Sequence, residues 1–85
     1  MQRYPQFEEA LGQEITKARE AKNISRRGLS SMLRRSSNYM SLIESGKQEL
    51  TVSGLSEIGL ALGLKGSELH ARAERAAGLR LPKSK

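Results

Sequence analysis

The chain has 85 residues, which is enough for one small domain. It contains no cysteine and one histidine, so disulfides, thiolate zinc sites, a cysteine nucleophile and a His-rich metal cluster are excluded. Fifteen Lys and Arg face nine acidic residues, all of them Glu, and the net charge of +6 indicates a polyanionic partner.

Apolar residues at helical spacing predict a first helix over about residues 5–22. Pro5 suits the first turn of this helix and Asn23 suits its end. The spacing i, i+4, i+8 and i+11 puts the apolar residues on one face. That face consists of Phe7, Leu11, Ile15 and Ala18.

Two short helices are predicted next, separated by a polar stretch. Ser25 is a candidate N-cap for the second helix. Its buried positions follow the i, i+3, i+4 pattern at Leu29, Met32 and Leu33. After Arg34 and Arg35, Ser36 is predicted to cap the third helix. The inner face of that helix holds Tyr39 or Met40 together with Ile43, and Gly46 ends it.

The rest of the chain predicts two more helices and a tail. Thr51 can cap helix 4, whose inward residues are Leu55, Ile58 and Leu62, and Gly63 stops it. Helix 5 starts near Gly66 or Ser67 and ends at Gly78, and one face carries Leu69, Ala73, Ala76 and Ala77. No segment has the alternation of a strand, so we predict an all-α domain over residues 1–78 and a flexible basic tail over residues 79–85.

Four glycines lie inside the predicted helices, at Gly12, Gly28, Gly54 and Gly59. Each costs about 1 kcal/mol relative to alanine. We expect some of them to permit close helix crossings.

The positive charge is concentrated in the middle of the chain. Residues 23–47 hold five cations against Glu44 alone, a net +4, whereas residues 1–22 are neutral and residues 48–85 carry +2. The five cations are Arg26, Arg27, Arg34, Arg35 and Lys47. Charges of this kind usually form a solvated face. Two arginine pairs in one window favour a surface that neutralises phosphates instead.

The stretch from Leu29 to Gly46, LSSMLRRSSNYMSLIESG, resembles the central motif of phage-repressor and Cro-type (XRE-like) helix-turn-helix domains. The resemblance extends over about residues 10–70. It implies a five-helix fold that places helix 3 in the major groove of DNA. The turn departs from the family pattern, which has glycine and then an apolar residue where this chain has Arg34 and Arg35. We therefore expect Arg34 to adopt a left-handed or adjusted turn conformation, at some cost.

The resemblance also implies roles for individual residues. The residues expected to contact bases are Ser37, Asn38, Ser41 and Leu42. The residues expected at phosphates are Arg26, Arg27, Arg34, Arg35, Tyr39 and Lys47. Arg19 and Glu44 match an internal salt bridge of the family. Asn38 can pair with adenine through two hydrogen bonds, whereas Leu42 suits either a thymine methyl group or a partly buried position.

These observations predict a sequence-specific DNA-binding transcriptional regulator, of repressor or controller type, that acts as a homodimer on a near-palindromic operator. The expected dimer interface is the helix 5 face with its extension, comprising Leu69, Ala73, Ala76 and Leu79. The same face could instead cover the core of the single chain, in which case helix 4 is the next candidate for the interface.

An alternative function is a protein-interaction module, such as the antitoxin of a toxin–antitoxin pair, that uses helix 5 and the tail. An enzyme is not expected, because paired carboxylates at catalytic spacing are missing. No cofactor or metal is expected. No membrane contact is expected either, since no apolar run could span a bilayer. We expect a cytoplasmic, nucleoid-associated protein of bacterial or phage origin.

Overall fold

The computed structural model describes residues 5–78, which form five α-helices and no strand. The helices are α1 (Pro5–Ala21), α2 (Arg26–Met32), α3 (Tyr39–Glu44), α4 (Val52–Leu62) and α5 (Gly66–Ala77). The prediction of an all-α, five-helix fold is confirmed. The predicted tail, with Leu79, lies outside the described residues. None of the five helices has both the length and the apolar character that crossing a membrane would need.

Local capping sets most of the helix ends where the sequence predicted them. The Ser25 hydroxyl accepts the backbone N–H of Gly28 at 2.9 Å, and the Thr51 hydroxyl accepts that of Gly54 at 3.0 Å. These side chains satisfy amide groups that have no partner within the first turn of a helix. At the other ends, Gly63 (φ 76°) closes α4 in the left-handed region, where glycine carries no steric penalty.

All five helices contribute to one core. The largest fully buried side chains are Ile15, Leu29, Met40, Ile58, Leu62, Leu69 and Ser30. Helix α5 packs against α1 and α4, while α3 packs against α1 and α2. The inner side of α3 is therefore supported by α1 and α2, which precede it in the chain.

Gly12 permits the closest of these helix contacts. A Cβ atom at Gly12 would overlap the carbonyl oxygen of Glu44, so α1 and α3 touch through their backbones. Gly59 has a comparable role in α4, since a Cβ atom there would lie 2.8 Å from the carbonyl oxygen of Leu64. The expectation of a close helix crossing holds at Gly12, whereas Gly59 lets the turn between α4 and α5 fold closely against α4.

The structure corrects two packing predictions. Met32, predicted as a core residue, has 54% of its surface exposed, because it is the last residue of a helix only seven residues long. Leu69 and Ala73, predicted at a dimer interface, are fully buried within the single chain, where α5 packs against α1 and α4. Of the predicted interface, Ala76 is exposed.

Candidate nucleic-acid interface

The turn between α2 and α3 is tight and depends on Arg34. This residue has a φ of 59°, which confirms the left-handed conformation expected where the family pattern has glycine. The backbone N–H of Arg34 donates to the Ser31 carbonyl at 3.0 Å, and that of Arg35 donates to the Ser30 carbonyl at 2.9 Å. These bonds satisfy carbonyls at the end of α2 and turn the chain toward α3.

Ser30 connects the two helices directly. It is fully buried, and its hydroxyl accepts the backbone N–H of Met40 at 3.1 Å. Met40 is the second residue of α3, where a helical N–H has no partner inside its own helix. A side chain of α2 therefore caps α3 and fixes the orientation of one helix against the other. Sequence reasoning missed this role, and the available signal was a serine directly after the buried Leu29.

The start of α3 differs from the prediction that Ser36 caps it. The helix begins at Tyr39, with Asn38 at the N-cap position. The Ser36 hydroxyl donates to Oδ1 of Asn38 at 2.8 Å, and the Ser36 carbonyl accepts the N–H of Tyr39 at 3.0 Å. The Asn38 side chain makes no cap bond, because Ser30 accepts the N–H of Met40 that a cap at Asn38 would engage. Ser36 thus orients the Asn38 side chain instead of capping the helix.

The predicted base-contacting residues lie at the start of α3. Ser37, Asn38 and Ser41 are exposed, and each carries both donor and acceptor capacity. Leu42 is half-buried, and its carbonyl accepts the backbone N–H of Lys47 at 3.0 Å. The three polar residues therefore form an exposed hydrogen-bonding group, and Leu42 lies at its edge.

Glu44, at the other end of α3, is buried and bonded to Arg19 of α1. Its oxygens accept Nε of Arg19 at 2.7 Å and Nη2 at 3.1 Å. Such a bidentate ion pair is among the stronger hydrogen-bonded contacts in proteins. The hydrogen bond to Glu44 raises the pKa of Arg19 above its ordinary value, against the opposing effect of burial. The internal salt bridge implied by the resemblance is present.

Two further residues join this pair, and the sequence did not indicate them. The Thr16 hydroxyl lies 2.8 Å from Oε1 of Glu44 and 2.9 Å from the Gly12 carbonyl, so its single proton serves one or the other. Arg26, at the start of α2, donates from Nε to the same Oε1 at 3.0 Å. The Arg26 side chain is 54% exposed. Arg26 was expected to contact a phosphate, and the structure adds an anchor to the buried end of α3.

The remaining cations are exposed around this helix pair. Arg27, Arg34 and Lys47 are exposed, whereas Nη2 of Arg35 lies 3.2 Å from Oε1 of Glu57 on α4. The Arg35 guanidinium also lies 5.2 Å from the ring centroid of the half-buried Tyr39. An exposed ion pair contributes about 0–1 kcal/mol, so Arg35 can exchange Glu57 for another anion at little cost.

The described residues offer no metal site, since no group of three His, Cys, Asp or Glu side chains among residues 5–78 is placed to hold an ion. The arrangement instead presents hydrogen-bonding side chains at the start of one helix with arginines around them.

Two solved structures of ClgR, the clp gene regulator of Corynebacterium glutamicum, are similar to this fold. One matches with a TM-score of 0.76 at 28% sequence identity, over 82% of this chain and 90% of the ClgR chain. The other matches with a TM-score of 0.79 at 28% identity, over 85% of this chain and 77% of that chain. No protein-family model and no curated protein sequence matches the chain. The XRE-like membership therefore stays a prediction based on the motif.

Proposed function

We propose that this chain is a sequence-specific DNA-binding transcriptional regulator, of the repressor or controller type, with an XRE-like helix-turn-helix. The likeness to structures of a gene regulator supports the general part of this proposal. The motif over Leu29 to Gly46 and the helix pair that it forms support the DNA-binding part.

The observation that carries the proposal is the exposed start of α3 on a rigid support. Ser30 holds the first turn of α3 through Met40, and Glu44 holds its last turn through Arg19 and Arg26. A helix fixed at both ends can present side chains with the precision that base recognition needs. Asn38 can then donate to N7 and accept from N6 of adenine, because its Oδ1 has a second lone pair beside the bond from Ser36.

The surrounding cations would position the helix on the DNA backbone. We assign phosphate contacts to Arg26, Arg27, Arg34, Arg35, Tyr39 and Lys47. Phosphate contacts supply affinity and fix the register, whereas base contacts supply specificity. Arg26 suits a phosphate contact because Nε is held by Glu44 while about half of the side chain remains in solvent.

A homodimer follows from the size of the recognition element. Helix α3 has six residues, which is too short to specify an operator alone. Two copies related by a two-fold axis would contact half-sites about 10 base pairs apart on a near-palindromic operator.

Binding-site selection with the purified chain tests this function. Random duplex DNA is incubated with the full chain, bound molecules are recovered over several rounds, and the enriched sequences are compared. We expect a near-palindrome with two similar half-sites. Recovery of duplexes with no common sequence would contradict a sequence-specific regulator, and failure to recover any duplex at low salt would contradict DNA binding itself.

A further inference from the structure

An apolar groove separates the end of α2 from the outer side of α4. Its volume is about 380 Å³. One wall comes from the end of α2 and the turn after it, and the other comes from α4. The lining residues are Met32, Leu33, Arg34, Glu57, Leu60 and Ala61.

The exposure of two lining side chains points to a protein partner. Leu60 is 82% exposed and Met32 is 54% exposed, and they are two of the three large apolar side chains exposed within residues 5–78. Clustered apolar exposure with a polar rim marks interaction sites, whereas scattered apolar residues need no explanation. DNA is a poor occupant, because four of the six lining residues are apolar and offer a phosphate no hydrogen bond.

We propose that a second copy of this chain docks on this groove, with Leu60 of each copy seated in the groove of the other. The inference rests on the homodimer of the proposed function and assigns its interface. A two-fold interface must be self-complementary, since each copy presents the same surface. The exposed Leu60 beside a groove meets that requirement, because one surface carries both the projecting side chain and the space that receives it.

The charges of the groove are self-complementary in the same way. Arg34 lines it from the α2 side and Glu57 from the α4 side. A two-fold axis through the groove places Arg34 of each copy near Glu57 of the partner subunit. In such a dimer Arg34 is engaged at the interface, so of the phosphate contacts proposed above those of Arg26, Arg27, Arg35, Tyr39 and Lys47 remain.

The neighbouring surface of α4 allows the interface to extend. Ser53 and Ser56 are exposed and lie seven and four residues before Leu60, on the same side of the helix. A stable interface buries about 800 Å² per partner, which is more than one groove supplies, and these small side chains let a second helix approach. Helix α5 cannot contribute Leu69 or Ala73, because both are fully buried.

A charge-exchange experiment on the full chain, without DNA, tests the pairing. We expect Arg34→Glu alone and Glu57→Arg alone to sediment as monomers, because each places like charges together twice across the interface. Mixing the two variants should restore a dimer, since every contact then joins opposite charges. Arg35→Glu is the matched control, because Arg35 pairs with Glu57 in its own chain without lining the groove, and it should remain dimeric.

The apolar part has its own pair of variants. Leu60→Ser removes two buried leucines from each dimer, so the dissociation constant of the dimer should rise about a hundredfold. Val52→Ser is the control, since Val52 is 86% exposed on the same helix outside the groove, and it should leave the constant unchanged. Both positions are exposed, so helical content should stay constant.

Three results would overturn the proposed interface: a wild-type chain that stays monomeric at high concentration, variants that remain fully dimeric, or a mixture that stays monomeric. If the wild-type chain is monomeric and still binds duplex DNA, the proposed interface fails while the DNA-binding part of the proposed function stands.

Discussion

At the scale of single residues, Glu44 links three helices through one carboxylate. Its oxygens accept hydrogen bonds from Arg19 of α1 and Arg26 of α2, and it closes α3. A buried carboxylate depends on these donors, because an uncompensated charge in the interior is costly. Glu44 therefore ties the candidate DNA-binding helix to the rest of the domain.

Arg19→Met should destabilise the domain by about 3–5 kcal/mol, because Glu44 would remain buried with fewer donors. Arg26 would still donate to Glu44 in this variant, so the expected loss lies toward the low end of that range. Since the pKa of Arg19 is raised in the folded chain, this contribution is fully present below the pKa of an arginine in the unfolded chain and is lost as pH rises through the folded pKa.

Urea unfolding followed by circular dichroism measures this loss. Lys17→Met is the matched control on the same helix, because the Lys17 side chain is 71% exposed and its pair with Glu14 should contribute at most about 0.5 kcal/mol. Equal effects of the two substitutions would show that the buried pair has no special importance.

Asn38→Ala should lower affinity for the selected operator by about 1–3 kcal/mol and leave binding to unrelated duplex DNA nearly unchanged. Arg26→Ala should instead weaken binding to all sequences, because phosphate contacts carry no base information, with a further loss at the operator because Arg26 also anchors α3 through Glu44. Fluorescence anisotropy with operator and scrambled duplexes separates the two effects. Gln13→Ala, which removes an exposed amide of α1, should change neither affinity. Identical behaviour of the Asn38 and Arg26 variants would contradict the division between base and phosphate contacts.

At the scale of the secondary-structure elements, the turn between α2 and α3 contains strain that a substitution can remove. Arg34 has a φ of 59°, a conformation that costs a non-glycine residue about 1–2 kcal/mol. Arg34→Gly should therefore stabilise the chain by about 0.5–1 kcal/mol, after allowing for the greater freedom of glycine in the unfolded state.

Two comparisons make the Arg34 prediction specific. Arg34→Ala removes the same side chain and keeps the strain, so it should not raise the urea midpoint. Asn23 has nearly the same φ of 58°, yet asparagine tolerates this region, so Asn23→Gly should have a smaller effect. An Arg34→Gly midpoint at or below that of Arg34→Ala would contradict the strain.

The sequence predicted those helix ends that depend on a few neighbouring residues. Ser25 and Thr51 each cap a helix by accepting the N–H of the residue three positions later in the chain. The capping residue and the helix end that it fixes therefore lie within one turn. Ser36 was wrongly predicted as a cap because α3 begins two residues later than expected, at a point where Ser30 of another helix caps it. A contact of this kind between distant residues leaves no trace in a local pattern.

Helical periodicity likewise identified apolar faces better than it identified their partners. Leu69 and Ala73 share a face as predicted, but the spacing alone could not distinguish contact with α1 from contact with a second copy. Met32 satisfied the periodic pattern and is nevertheless exposed. In a helix of seven residues the few apolar positions do not determine which side faces the core. The salt bridge of Arg19 with Glu44 was reached through the family resemblance, while Thr16 and Arg26 required the structure.

Ala73→Glu should now unfold the chain, because it buries a carboxylate where the side chain is fully enclosed. Ala76→Glu is the matched control on the same helix, and its exposed position should limit the cost to less than about 1 kcal/mol. Circular dichroism and urea unfolding compare the two. A folded but monomeric Ala73→Glu chain would contradict the packing of Ala73 inside the single chain and would place the dimer interface on α5.

At the scale of the whole molecule, the proposed DNA-binding surface depends on the cations of residues 23–47 as a group. This segment holds five cations and one buried carboxylate that Arg19 already neutralises. One negative side chain near the exposed cations is Glu57, which pairs with Arg35 at the surface. A DNA backbone can compete for Arg35, because exposed pairs are weak and DNA offers many phosphates.

Binding to duplex DNA should therefore depend steeply on salt. A dimer in which three or four cations of each copy reach phosphates makes six to eight contacts, which would give a slope of log K against log salt of about −5 to −7, because each contact releases condensed counterions. Lys47→Ala should flatten the slope of a dimer by about 2, since each copy loses one contact worth about 0.9. Lys65→Ala is the control: this lysine is also exposed but lies between α4 and α5, and it should leave the slope unchanged. Titrations at several salt concentrations measure all three slopes. A flat response of the wild-type chain would exclude phosphate contacts as the source of affinity, and equal flattening by both lysine variants would mean that the net charge of the molecule attracts DNA without a defined surface.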